Sequence, residues 1–172
     1  MIYRGNKIEL DGMKFDSKVE AQFYQRFIKP SGKRFLFHPS ALLYERYKNH
    51  GVFMRAKGYT PDFVIQSDSG EWLHIYDVKS SLKPNGMTRD ARERIEFYQH
   101  QTGNIVELVV PRTHDFKMAI LGLSSNSVLD KHAKRDRHGN VKHYKRTGNV
   151  QYDHYNVYHS INYDIRDIVG SK

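Results

Sequence analysis

The sequence predicts an α/β domain, a mixed sheet flanked by helices, with a basic and β-rich C-terminal extension. Three observations predict it: two helical segments with capping and spacing signals, short apolar strands between and after them, and a change in composition near residue 116. The 172 residues leave room for one core with a decorated end, read as a core over 1–115 and a basic arm or small β subdomain over 116–172.

Ser17 and Glu20 form a capping-box pattern, so a helix is expected over residues 17–29, stopped by Pro30 and Gly32 and burying Val19, Phe23, Phe27 and Ile28. Residues 35–38 and 41–47 read as strands by aromatic and branched content, split by Pro39-Ser40 and followed by a loop over 48–58. Residues 61–66 form a short apolar strand, 67–70 a turn and 71–79 a longer strand, together a hairpin. After a loop, residues 88–100 make a charged helix whose Ala91, Ile95 and Tyr98 keep helical spacing, and Gly103-Asn104 ends it. Residues 105–110 are nearly continuously apolar, the pattern of a strand buried on both faces, and Pro111 terminates it. Further on, Gly139-Asn140-Val141 recurs as Gly148-Asn149-Val150, which predicts short twisted hairpins in the extension.

Charge narrows the function classes. Lys and Arg number 28 against 19 Asp and Glu, a formal +9 that favours a polyanionic partner such as nucleic acid or an acidic membrane surface. Residues 1–115 hold 18 basic and 14 acidic side chains, whereas 116–172 hold 10 and 5, so the extension carries more than half of the excess. With no cysteine there is no disulfide framework, no thiol nucleophile and no cysteine zinc site; any metal must be held by oxygen or imidazole. No apolar run approaches the roughly 20 residues that a membrane-spanning helix needs, and the first ten residues lack the apolar region of a signal peptide. A cytoplasmic protein without membrane association or a small-molecule cofactor is expected.

Four residues carry the chemistry: Glu20 on the first helix, Asp62 at the start of the hairpin, and Asp77 with Lys79 on its second strand. Residues two apart on a strand share a face, so Asp77 and Lys79 point together, with Leu73 and Ile75 continuing that face, and Tyr76 and Val78 point the other way. Pairing across the hairpin brings Asp62 near Asp77, and adjacent carboxylates repel unless a proton or a cation lies between them. A hard divalent ion such as Mg²⁺, with Mn²⁺ as substitute, suits Asp62, Asp77, the Val78 carbonyl and Glu20 better than zinc does. Such an ion polarises a phosphodiester and lowers the pKa of bound water. Lys79 would orient that water, stabilise the transition state or accept a proton; neighbouring anions favour its charged form and argue against the last role.

Pro61-Asp62, a turn, Asp77-Val78-Lys79 and the helical Glu20 together resemble the PD-(D/E)XK nuclease superfamily. The segments 15–24, 58–65 and 75–82, with the helix and apolar strand that follow, look like the endonuclease I type of phage Holliday-junction resolvase. They look equally like a family of small phage proteins that begin with Tyr-x-x-Lys and an Asp-Gly-x-x-Phe-Asp-Ser-x-x-Glu pattern, matched by Tyr3, Lys7, Asp11-Gly12 and residues 15–20. The resemblance covers residues 3–110. It implies a restriction-endonuclease-like fold, a homodimer, DNA as partner and action in the cytoplasm, the host's if the protein is phage-encoded. Asp77 stands where the junction resolvases carry Glu, Ser80 stands where Gly is common, and the basic arm has no counterpart.

Other readings stand beside this one. The capping box by itself accounts for Glu20; Asp62 suits a turn after Pro61; Asp77 and Lys79 suit an exposed ion pair. Lys83, Arg89, Arg92 and Arg94 are candidate phosphate contacts, or a solvated helix face paired with Glu93 and Glu96. In the arm, Lys131, Lys134, Arg135, Arg137, Lys142, Lys145 and Arg146 face only Asp136 and make a nucleic-acid surface. His132, His138 and His143 match no zinc spacing and are read as non-ligands. The alternatives in function are a site-specific endonuclease of the same superfamily (restriction, homing or transposase type) whose arm reads sequence, and a non-catalytic nucleic-acid-binding protein.

Overall fold

A computed structural model of the chain describes residues 7–83 and 86–170; Tyr3 of the N-terminal pattern and residues 84–85 of the loop lie outside them. Strands β1 (Ile8–Leu10) and β2 (Met13–Phe15) form a hairpin whose two-residue loop is Asp11-Gly12, both at positive φ, as a primed turn requires. The Asp11 carboxylate accepts from the Tyr24 hydroxyl and the Lys29 ammonium, each at 2.8 Å, which fixes this hairpin to the first helix.

That helix starts as α1 (Lys18–Phe23), passes through a π-helical turn (Tyr24–Ile28) and ends in one more turn, α2 (Lys29–Ser31), with Gly32 in the left-handed conformation. The sequence places Pro30 just past the helix, but here it lies within the last turn. A proline ring inside a regular helix collides with the carbonyl four residues back, here that of Arg26; widening the preceding turn relieves the collision. Phe23, Phe27 and Ile28 are buried as expected, and Val19 is partly so.

The chain continues through β3 (Arg34–Phe37), β4 (Ala41–Tyr44), β5 (Tyr47–Asn49), β6 (Val52–Met54) and β7 (Lys57–Tyr59). The expected single strand over 41–47 is thus two, and the expected loop over 48–58 is largely strand. His50 and Gly51 both take positive φ and close a tight β5–β6 ribbon, while β4 pairs with β7. The central hairpin follows as β8 (Phe63–Gln66) and β9 (Trp72–Val78), then α3 (Arg89–Thr102), capped by Thr88 and ended by left-handed Gly103. Next come β10 (Glu107–Pro111), β11 (Phe116–Ile120), β12 (Lys131–Ala133), β13 (Tyr152–His154), β14 (Asn156–Tyr158) and α4 (Ile165–Val169). Pro111 remains inside β10 because it lies beyond the stretch that pairs with β9, where its missing N–H leaves no ladder bond unmade.

Six strands form one mixed sheet in the order β14-β11-β10-β9-β8-β3, with β9 and β10 parallel and the other neighbours antiparallel. The protein is therefore mixed α/β, compatible with a restriction-endonuclease-like fold. One correction concerns the boundary at residue 115: β11 and β14, both in the expected extension, belong to the central sheet, and Phe116, Met118 and Ile161 are fully buried in its core. What departs from the core is the part of the excursion between β11 and β14 that follows the buried Leu129. There β12 pairs with β13, and isolated bridges join Arg135 to Val141 and His143 to Val150 around turns holding Gly139 and Gly148 at positive φ.

Alternation divides the core between the two sheet faces. On the α1 face Phe23 packs edge-on against Tyr76 and Phe116, with Phe63, Ile65 and Val78 beside them. On the α3 face Ile95 and Tyr98 cover Val64, Ile75 and Leu108. Among the described residues no helix is long and apolar enough to cross a membrane.

Candidate active site

The site forms where β9 ends, between the two core layers. Asp62 extends the β8 ladder by one residue: its N–H donates to the Tyr76 carbonyl at 3.0 Å and its carbonyl accepts from the His38 N–H at 3.1 Å. The backbone fixed in this way aims the carboxylate along the sheet end, where Oδ2 accepts the Val78 N–H. Successive strand residues direct their amides to opposite sides. The Lys79 N–H bonds the Val109 carbonyl on β10, so the Val78 amide groups face the Asp62 side, which turns its carbonyl toward the site.

Glu20 reaches the same point from the first turn of α1. Ser17 caps this helix by accepting from the Glu20 N–H at 3.2 Å; its hydroxyl donates to Glu20 Oε1 at 2.7 Å, and Oε2 accepts from the Asp16 N–H. The capping box thus exists, with the acid returning its bonds to the Ser17 hydroxyl and the Asp16 amide instead of the Ser17 amide. Cap and site membership coexist, because the same bonds hold the carboxylate in place and leave it largely buried at the sheet end.

His38 is the member that sequence reasoning missed. Its Nε2 lies 3.5 Å from Glu20 Oε2 and 3.7 Å from Asp62 Oδ1, and ligand atoms of the three residues fall within 4.8 Å of one another. The ring stacks on Phe37 at 3.9 Å, and the residue holds a positive φ of 48°, a conformation that non-glycine residues rarely adopt. The available signal is register: pairing Phe37 with Phe63 sets the next residue, His38, opposite Asp62.

Asp77 stands beside this trio. It forms an ion pair with the Lys79 ammonium and accepts from the Tyr59 hydroxyl at 3.0 Å, in a buried position. Tyr59 is the second residue missed; its hydroxyl proton is held far above the usual range by burial and by the Asp77 charge. Burial pushes the Asp62 carboxyl well above its ordinary value, and the charges of Asp77 and Glu20 push it further. With all three acids ionised, one lysine leaves two negative charges at a largely desolvated point, which a single divalent cation would balance in place of the proton that Asp62 otherwise favours. The donors fit such an ion: carboxylate oxygens from Glu20 and Asp62 and the Val78 carbonyl, with Asp77 adjoining and the His38 imidazole beside the carboxylates.

The expected phosphate contacts divide. Arg89 pairs with Glu93 at 2.7 Å and Arg94 with Asp90 at 2.7 Å, as on a solvated helix face, whereas Lys83 and Arg92 meet no acid among the described residues. In the excursion Lys134 pairs with Asp153 at 3.3 Å, Arg135 bonds the Gly139 carbonyl, and Arg137 bonds His138. Lys142, Lys145 and Arg146 are exposed and meet no acid among the described residues; Lys145 and Arg146 border an open groove of about 820 Å³ with Tyr144 and Tyr152.

No curated protein and no solved structure matches the chain. Residues 1–110, which contain Glu20, His38, Tyr59, Asp62, Asp77 and Lys79, match a family, and the chain belongs to it: the family described as "Protein of unknown function (DUF1064)".

Proposed function

We propose that the protein is a Mg²⁺-dependent endodeoxyribonuclease that hydrolyses phosphodiester bonds in branched DNA of the Holliday-junction kind, as a homodimer in the cytoplasm. The observation that carries this reading is the convergence of Glu20, Asp62 and Asp77, with Lys79, on one sheet end at the price of mutual repulsion. A purely binding protein has no use for carboxylates that repel both each other and DNA.

Glu20, Asp62 and the Val78 carbonyl would hold the ion, with Asp77 beside them. Bound there, it supplies charge neutralisation at the phosphoryl oxygens and a more acidic water. Asp77 keeps Lys79 charged and directs its ammonium to the site mouth, where it steadies the attacking water and the developing phosphoryl charge; it does not act as base. Tyr59 fixes the Asp77 rotamer, and Ser17 that of Glu20. His38 spans Glu20 and Asp62 and is placed to carry a proton between the site and solvent. Exposed cations of the excursion attract the DNA backbone, and the symmetry of a four-way junction calls for two sites related by a two-fold axis.

The test is incubation with a four-way junction, a linear duplex and single-stranded DNA, with Mg²⁺, Mn²⁺ or chelator. Cleavage of the junction with either metal and none with chelator is expected. Binding without cleavage of any substrate would overturn the enzyme reading, and equal cleavage of junction and duplex would remove the junction preference.

A further inference from the structure

The β5–β6 ribbon has no role in the core. Every residue over 44–56 is exposed, including Tyr47, Val52 (63%), Phe53 (59%) and Met54. Solitary apolar side chains on a surface are ordinary, but four on one short ribbon, three of them on one face, ask for a partner. The register gives the ribbon two faces. Tyr47 opposes Met54 and Asn49 opposes Val52 on one, and Lys48 opposes Phe53 on the other. On that second face the Arg46 guanidinium lies 4.0 Å from the Phe53 ring centre, and the Lys48 ammonium lies 5.7 Å away.

Its attachment ties the ribbon to the site. The segment over 39–58 leaves the six-stranded sheet after His38 and returns through Tyr59, with its base packed on Ile95 and Tyr98 of α3 through the buried Leu43. His38 thus ties one end to Glu20 and Asp62, and Tyr59 ties the other to Asp77. A tight His50-Gly51 loop and the β4–β7 pairing at its base make it a stiff projection. Over 44–57 it carries Arg46, Lys48, Arg55 and Lys57 against the single acid Glu45.

Building on the endonuclease reading, we infer that this ribbon is a DNA-contacting wedge, which grips the backbone next to the scissile phosphate with Arg46 and Lys48 and sets Val52 and Phe53 against exposed base faces. The dimensions suit it, because a two-stranded ribbon fits a DNA groove and apolar side chains at its end partly unstack a base step. A second copy of the chain suits it less. A two-fold interface brings each ribbon near its own like charges, and so few apolar residues fall short of the roughly 800 Å² per partner of a stable interface.

The test is binding of a labelled four-way junction in chelator, followed by anisotropy over a salt series, with a fluorescent adenine analogue beside the branch. R46Q/K48Q is expected to reduce the slope of log affinity against log salt by about 1.8, roughly 0.9 for each phosphate contact. V52S/F53S is expected to weaken binding about tenfold at unchanged slope, the scale of one lost stacking contact, and to abolish the analogue's response. Circular dichroism verifies that both variants fold. Two variants that bind as the wild type does would overturn the proposal. So would a dimer-to-monomer change in V52S/F53S, which would make a second copy the occupant. Failure of the endonuclease reading shows elsewhere, as binding without metal-dependent cleavage, and leaves the ribbon result standing.

Discussion

Asp62 is the residue at which the electrostatics of the site can be weighed directly. Its raised pKa means that the folded protein binds a proton there more readily than the unfolded chain does. In chelator, stability therefore falls as pH rises from the ordinary 3.8 through the raised native value, because the unfolded chain ionises first. Asp62→Asn removes this charge and is expected to melt above wild type at pH 7 without metal, with the advantage fading as pH approaches 4. Adding Mg²⁺ should raise the melting temperature of wild type and not that of the variant. Asp77→Asn tests the chemistry: losing a charge that organises the ion and Lys79 forfeits several kcal/mol, so cleavage should fall by roughly 10³-fold or more with junction binding retained. Tyr59→Phe removes only the hydrogen bond that positions Asp77. Partners of this kind typically govern about 10–100-fold in metal affinity, so a Mg²⁺ titration of cleavage should shift right by that factor and saturate near the wild-type rate.

At the scale of elements, β10 shows how a local pattern hides a long-range one. Its sequence reads as an apolar strand interrupted by Glu107, yet Glu107 is fully buried, with His74 Nδ1 2.7 Å from Oε1 and the Tyr163 hydroxyl donating to Oε2. The pair joins β9, β10 and the C-terminal segment before α4, so Tyr163 holds that segment on the sheet. Glu107→Leu leaves His74 and Tyr163 without their partner, at about 1–3 kcal/mol each, and should lower the melting temperature by roughly 4–20 °C. Tyr163→Phe should cost about 1 kcal/mol; equal melting of both variants with wild type would show that the network does not hold the segment. The same distinction separates what was legible in the sequence from what was not. Capping at Ser17, the turn that folds 61–79 into a hairpin and alternation through 75–79 are local, and they bring Glu20, Asp62, Asp77 and Lys79 into view. His38 opposite Asp62, Tyr59 against Asp77 and the return of β14 beside β11 depend on which distant strands pair, and tertiary packing decides that. Pro30 and Pro111 misled for a related reason: a proline marks where a bond is missing, and the surrounding structure can make that bond unnecessary.

Across the whole molecule, the acids of the candidate site and most of the excess of cations lie in different segments of the chain, so the proposed function makes attraction to DNA separable from its cleavage. The core ends in an acidic cluster, so an endonuclease built on it would draw DNA in by cations elsewhere, and the proposal assigns that role to the excursion between β11 and β14. Its cations are not equivalent. Lys134 is held by Asp153 and Arg135 by the Gly139 carbonyl, so both brace the excursion, whereas Lys142, Lys145 and Arg146 are exposed without an ion pair among the described residues, Lys142 with Asp136 in its vicinity. Each phosphate neutralised by a cation releases counterions and adds roughly 0.9 to the salt slope of binding. Replacing Lys142, Lys145 and Arg146 by Gln should therefore reduce that slope by up to about 2.7, with cleavage at saturating DNA close to wild type, because the ion pairs of Glu20, Asp62 and Asp77 are made with His38 and Lys79 and not with these three. Replacing Lys134 and Arg135 should move the slope less and the melting temperature more. An unchanged slope in the triple variant would mean that the outer turns are merely solvated and that the attraction resides in the ribbon and in Lys83 and Arg92 around the start of α3.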